Sequence, residues 1–413
     1  MKILILFCIT SFTFSVHALP KSILAVVKVP VADACGFRIG SCTNAIGEYY
    51  KTLPYSPDSG PYGCLRIHQL LFNELVTITK EYPGGEVGVE TTGWFFLDGL
   101  HRKRHDFWML KKDLMVVNSL PKEFRKYIPA AIDYKKPVDD YSKNILVLAE
   151  PWLEEKTNQL YSPGTRFVRE IEKDTETDYS VVFIDAKNKA VLSAFIEKEK
   201  ALVYHESTFE RRRRTFLALM RGWAHPKKGF IPYVYGGSSF TESLQDFTFN
   251  KVTGMRCNAK ATYWVRPSMK APHSGFDCSN MILRAAQMSC MPYYFKNTLA
   301  LMTYMRPLKL GEKLEEGDLV WYSGHVMVVS NVAQNLLIEA AGYEVTGYGA
   351  VHEIPVNRVF HGIKNFEQLV HAHLTHQFTH RLNNKGAQAL SVYRLRIFKL
   401  KSILEGKISS IEQ

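Results

Sequence analysis

Ser274-Gly275-Phe276-Asp277-Cys278-Ser279-Asn280 runs directly into an apolar-periodic stretch, Met281 to Met288. This pattern predicts a helix that opens at Cys278. A thiol at a helix N-terminus feels the positive end of the macrodipole, which favours thiolate, the nucleophilic form. A base candidate follows in Gly324-His325-Val326-Met327-Val328-Val329, a short β-branched run that reads as a strand. Farther along, Leu337-Ile338-Glu339-Ala340 places a carboxylate inside another strand-like run. Cysteine on a helix start, histidine on a strand and a polar orienter on the next strand make a nucleophile–base–orienter set.

Four words in order carry a family resemblance: Pro232-Tyr233-Val234-Tyr235-Gly236-Gly237, Phe276-Asp277-Cys278-Ser279, Glu316-Gly317-Asp318-Leu319-Val320-Trp321, and the His325 strand. Together they resemble the NlpC/p60 domain, the papain-like cysteine peptidases of bacterial cell walls. The resemblance implies an α+β fold with a papain-like catalytic domain over residues 206–402. It implies a cysteine endopeptidase acting on murein (peptidoglycan) stem peptides. Cys278 would attack the peptide carbonyl, with its own backbone N–H available to the oxyanion. His325 would hold the thiolate as an ion pair and then protonate the leaving amine; the plain alternative is a buried structural histidine. The third group departs from the family, which most often has a second histidine where this chain has Glu339. A carboxylate can accept the imidazole N–H equally well, but a surface role for Glu339, with His352 or a main-chain carbonyl as orienter, stays open.

Substrate-binding expectations follow from the same resemblance. Tyr233 matches a family tyrosine whose hydroxyl lies near the nucleophile; packing beside Trp223 and Tyr235 is its alternative. Asp277 and Ser279 flank the cysteine. With two small all-β domains in front, the chain resembles the peptidases that cut the γ-D-glutamyl–diamino-acid bond. In these the aspartate meets the free amine of an N-terminal L-Ala. Asp277 is also a natural helix cap. Glu74, in the first all-β domain, is a further amine-pocket candidate. Two departures stand out: a long segment, Ser238 to Ser274, where the family has a short turn, and Asn280, where the family mostly has Gly. The rival functions are a papain-like amidase or acyltransferase on another envelope substrate, and a wall-binding protein with a vestigial catalytic domain.

Composition bounds the rest. The 413 residues suit two or three domains, and 46% hydrophobic with 22% charged content is ordinary for a globular chain. Lys2, the apolar run Ile3 to Val16 and Val16-His17-Ala18 read as a signal peptide over 1–18. The run is short for a membrane span, and Leu6 and Phe7 before Cys8 are not lipoprotein-like. The expectation is a periplasmic or secreted monomer with no stable membrane span. A net charge of +12 suits anionic wall polymers or lipid head groups, and export argues against nucleic acid. Export permits disulfides among the seven cysteines: one bridge within Cys35, Cys42 and Cys64, another between Cys257 and Cys290, with connectivity open. No cofactor is implied, since no dinucleotide or phosphate-loop motif occurs. His371, His373, His376 and His380 invite a metal reading, with His376 and His380 on one helix face. Without a third ligand at metal-site spacing, no metal is expected.

Before the catalytic domain, short strands broken by turn residues predict two small barrels. Strand-like runs at 23–31, Gln69 to Ile78, Thr92 to Gly99 and Phe107 to Leu110 fill the first, which resembles an SH3-like domain over 19–120. A linker with a short helix follows over 121–143, and a second SH3-like domain over 144–205. The catalytic domain opens with a helix from Phe209 to Trp223. Its Arg211-Arg212-Arg213-Arg214 run reads as a solvated face. Val392 to Phe398 reads as one half-buried last strand, and 403–413 is a tail.

Overall fold

The computed structural model describes residues 18–36, 38, 66–136, 144–203, 208–227, 229–241, 275–342 and 349–405. Residues 1–17 of the expected leader, Cys42, Cys64, Cys257 and residues 242–274 of the long segment lie outside the described residues, while Ala18, the expected last leader residue, opens the first strand. The chain has an α+β fold built of several antiparallel sheets and a few helices.

Strands β1 (Ala18–Val27), β2 (Val31–Cys35), β3 (Arg66–Leu71), β4 (Leu75–Tyr82), β5 (Glu86–Glu90), β6 (Asp106–Leu110) and β7 (Leu114–Val116) make the first sheet, in the order β3-β2-β6-β5-β4-β1-β7. Pro30 lies between β1 and β2, as its missing N–H requires. The run expected as one strand from Gln69 to Ile78 is two strands. Asn73 sits between them at φ 68°, a left-handed position that asparagine tolerates. Of the run Thr92 to Gly99, only Phe96–Leu97 is a strand. Trp94 and Phe95 instead enter the core and are wholly buried.

A second sheet follows: β8 (Ile145–Leu148), β9 (Arg166–Arg169), β10 (Asp178–Asp185), β11 (Ala190–Glu197) and β12 (Ala201–Val203), in the order β11-β10-β9-β8-β12. Its core of Leu146, Leu148, Phe167, Val181, Phe183 and Ile196 takes in Phe72 from the turn between β3 and β4. The side chain of Asn73 in that turn donates to Arg166 O at 3.0 Å, which ties the two sheets together.

Helix α1 (Phe209–Ala224) buries Phe216, Met220 and Trp223, spaced four and three apart on one face. Its basic run is not all solvated, since Arg213 donates to Glu316 O at 3.0 Å. Next come α2 (Cys278–Met288) and α3 (Thr298–Tyr304). The third sheet then forms from β13 (Leu319–Tyr322), β14 (His325–Asn331), β15 (Leu336–Ala341) and β16 (Ala350–Pro355). Helix α4 (Phe366–Thr375) and the hairpin β17 (Thr379–Leu382) and β18 (Gln388–Val392) precede β19 (Arg396–Phe398), which closes the third sheet in the order β16-β15-β14-β13-β19. The expected last strand is therefore divided: β18 pairs with β17, and β19 pairs with β13. His376 and His380 do not share a helix face. His376 ends α4 in the left-handed conformation and His380 lies on β17. Among the described residues no helix is long and apolar enough to cross a membrane.

Side chains alternate across β14. Val326 and Val328 join one apolar cluster, and Met327 and Val329 join another that includes Leu369 of α4. The first cluster runs without a break from Ala25, Ile78, Val89 and Phe107 of the first sheet, through α2, to the third sheet. All eleven residues of α2 are buried. This helix is the common core of the first and third sheets.

Arg284, 1% exposed at the middle of α2, secures that arrangement. It donates to Glu74 Oε1 at 2.6 Å, Gln69 O at 3.0 Å, Ser238 O at 3.1 Å and Gln287 Oε1 at 3.0 Å. Glu74 is thus an anchor for α2. Replacing Arg284 by Leu strands these acceptors, and removal of one partner from a buried pair costs about 3–5 kcal/mol. Arg284→Leu should lower the thermal unfolding midpoint sharply. An unchanged melting profile would contradict the shared core.

Candidate active site

Asp277 caps α2, and both of its oxygens are engaged. Oδ1 accepts from Asn280 N at 2.6 Å and Ser279 Oγ at 3.1 Å. Oδ2 accepts from Asn280 Nδ2 at 2.9 Å and Gly236 N at 3.1 Å. A carboxylate has about four acceptor sites, so this set leaves none for an incoming amine. Asp277 is also only 6% exposed. The geometry therefore gives Asp277 and Ser279 to the start of the helix, and the expected amine-reading role of Asp277 is not supported. Gly236 takes φ 68°, and a Cβ there would collide with the Arg66 carbonyl. The glycine brings its N–H onto Asp277.

Asn280 faces away from the cysteine, toward the first sheet. Its Nδ2 also donates to Ile67 O at 3.3 Å, and its Oδ1 lies 2.9 Å from His68 Nδ1. With Oδ1 as the acceptor, Nδ1 of His68 carries the proton. Burial, then the charges of Arg284 and Lys296, hold the His68 pKa well below its ordinary value, so the ring is neutral. In the sequence Asn280 stands out only as a departure from the family's usual Gly. It is a strut between α2 and β3.

Cys278 follows the cap and is 8% exposed. Its sulfur accepts the backbone N–H of Val326, the residue directly after His325, and that of Ser279. The start of α2 and the start of β14 therefore meet at this sulfur. The helix-start position does not produce a thiolate. Burial, then the neighbouring Asp277 charge, push the thiol up to about 12, against the two N–H donors and Lys296. The macrodipole reading failed because it counted the helix and not the desolvation.

His325 opens β14, where its side chain is 12% exposed. Its Nε2 lies 2.8 Å from Glu339 Oε2. A carboxylate only accepts, so Nε2 carries a proton, and the position left for a lone pair is Nδ1. Glu339 lies on β15, directly across from His352 on β16. It is wholly buried, which excludes the surface alternative. Its Oε1 accepts from His352 Nε2 at 2.8 Å and from the buried Arg381 guanidinium on β17. Burial by itself would raise the Glu339 pKa. Arg381, then the His325 and His352 donors, outweigh it and hold the carboxyl well below the usual carboxylate range. His352 is thus neither a replacement for Glu339 nor idle: both histidines share one carboxylate. Arg381 went unread, and only its place on the strand following α4 could have drawn attention to it.

Tyr233 is half-buried beside this set. Its N–H donates to Gly349 O at 3.0 Å, it forms a parallel bridge with Phe276, and its ring packs over Gly342. The Tyr322 ring lies beside that of His325, with centroids 5.3 Å apart. This assembly joins a buried thiol, an imidazole bonded through Nε2 and a carboxylate held well below its usual range. Such a set can carry acyl transfer through sulfur. In comparisons with known proteins, no family model matches the chain and no curated protein matches it.

Two expectations follow from the ionisation states. With the thiol at about 12, alkylation of Cys278 by iodoacetamide should rise about tenfold per pH unit from pH 7 to pH 11. A plateau below pH 8 would instead reveal a preformed thiolate–imidazolium pair. A carboxyl depressed on folding contributes stability that is full above its unfolded value and is lost as pH falls through the folded one. The stability gap between wild type and Glu339→Gln should therefore be full at pH 7 and shrink below the ordinary glutamate value of 4.5. Urea unfolding at pH 7 and pH 3 checks this; a gap that widens in acid would reverse the assignment.

Proposed function

We propose that the protein is a papain-like cysteine peptidase of the NlpC/p60 type, exported to the periplasm or beyond. In this reading it hydrolyses murein stem peptides at the γ-D-glutamyl–diamino-acid bond. The observation that carries the reading is the Cys278 sulfur on the backbone N–H of Val326 at the start of β14, directly after a His325 whose Nε2 lies 2.8 Å from buried Glu339 Oε2. In this reading the two sheets before α1 would take the place of the SH3-like domains that such peptidases carry. The requirement for a free N-terminal L-Ala loses its basis in Asp277, whose four donors leave no acceptor.

The chemistry follows from the ionisation states. Because the thiol is neutral at rest, its proton moves to His325 Nδ1 as sulfur attacks the carbonyl, and the resulting imidazolium keeps its Nε2–H on Glu339. The Cys278 backbone N–H at the helix start is a donor for the developing oxyanion. The imidazolium then gives its proton to the leaving amine, and water, deprotonated by the same nitrogen, releases the acyl group from sulfur.

Mature protein with defined murein peptides, products identified by mass, tests the reading. Cys278→Ala should abolish turnover while leaving the melting profile in place. Glu339→Gln should slow turnover by roughly one to three orders of magnitude. Unchanged turnover in Cys278→Ala would end the peptidase reading. The burial of Cys278 favours one rival, a wall-binding protein with a vestigial site: wall binding with no turnover by the wild type would select it.

A further inference from the structure

Arg166 opens β9 and is 6% exposed. Its Nη1 donates to Ala130 O at 2.7 Å. Its Nε is buried and has no hydrogen-bond partner among the described residues, and no described carboxylate pairs with the guanidinium. Trp94 is wholly buried, and its indole Nε1 likewise lacks a partner among the described residues. The indole is held by packing: its ring stacks on Phe107 with centroids 5.1 Å apart and lies 4.7 Å from that of His68. Arg166 and Trp94 line one cavity of about 20 Å³, together with Glu74, Thr91, Ile132 and Gln287. The first sheet, the second sheet, the segment between them and α2 all meet at this cavity.

A buried N–H without an acceptor is costly, and a buried guanidinium without a counter-charge is more so. Both donors are sealed from solvent and meet no acceptor of the described chain, so the cavity they line is where an acceptor can sit. Its volume holds one water-sized particle. Sulfate, phosphate and carboxylic acids are too large for it. Charge then separates a neutral occupant from an anionic one. Of the lining residues only Glu74 is a carboxylate, and its Oε1 accepts from Arg284 Nη1 at 2.6 Å. Glu74 and Arg284 balance each other, which leaves the charge of Arg166 uncompensated. We propose that Arg166 and Trp94 form a halide site that takes chloride, a monatomic anion bound by the two N–H groups. The ion ties the second sheet to the first sheet and to the buried helix α2. The site is separate from Cys278 and does not rest on the peptidase reading.

Thermal unfolding of the mature protein in sodium chloride and in sodium gluconate, at equal ionic strength, tests the site. A ligand that binds only the folded chain raises the midpoint in a saturable way. Chloride should raise it by about 2 °C over gluconate, and bromide should act similarly. Trp94→Phe keeps most of the packed ring and removes the Nε1 donor, so the halide increment should largely vanish. Arg166→Gln removes the charge and should lose the increment as well. Equal midpoints in chloride and gluconate overturn the proposal, and so does a full increment in either folded variant, which would place the halide elsewhere. Crystals of the wild-type protein grown in bromide decide the matter even if neither variant folds. An anomalous-scattering peak between Trp94 Nε1 and Arg166 Nε is the expected result. A water there, with no anomalous signal, would overturn the halide assignment.

Discussion

Complete burial of α2 is the constraint on which the rest of the structure depends. A helix buried on every side needs apolar partners all round and a hydrogen-bond partner for each polar group it carries. The first and third sheets supply the apolar partners through one continuous cluster. The polar groups are answered one by one: Arg284 by Glu74, Gln69 and Ser238, Asn280 by His68 and Ile67, and Asp277 by the turn at Gly236. The first sheet is therefore part of the setting of Cys278 and not an appended module. A buried polar network of this kind fixes position well because a shift of any member orphans another.

A second fixed point is the buried Glu339. Three donors from three strands converge on one buried carboxylate: His325 from β14, His352 from β16 and Arg381 from β17. Against burial, Arg381 is the first of the interactions that keep the carboxyl ionised, followed by the two histidine donors. The carboxylate stays ionised and fixes the tautomers of both histidines. In the proposed reaction, an imidazolium at His325 would share its counter-ion with Arg381. That weakens ion-pairing at rest and agrees with a neutral thiol. In that proposal the proton moves during attack and does not rest in a standing ion pair.

Much of this was legible in the chain. The helix from Cys278 showed in the 281–288 periodicity, the His325 and Glu339 strands in their β-branched runs, and the mixed architecture in the succession of elements. What failed did so for tertiary reasons. Asn73 breaks a run whose hydropathy is continuous. Trp94 and Phe95 have strand propensity, but burial in the core claims them. The 392–398 alternation is real, yet Tyr393 to Leu395 turns the chain from one sheet to another. At the site, local reading found the residues in the right words and missed those brought from afar. Arg381 and His68 lie in no motif, and their roles come from long-range contacts. The thiol was read as activated by its helix, because desolvation cannot be seen in a linear sequence.

The central claim is that Cys278, served by a His325 held on Glu339, forms the acyl bond to sulfur. Rapid quenching of wild-type protein with a γ-glutamyl peptide, followed by intact and peptide mass analysis, tests it directly. The account predicts a transient adduct with the mass of the acyl fragment, confined to Cys278 and released by hydroxylamine. Steady turnover with no acylated cysteine at any quench time, or an adduct on another residue, would contradict it.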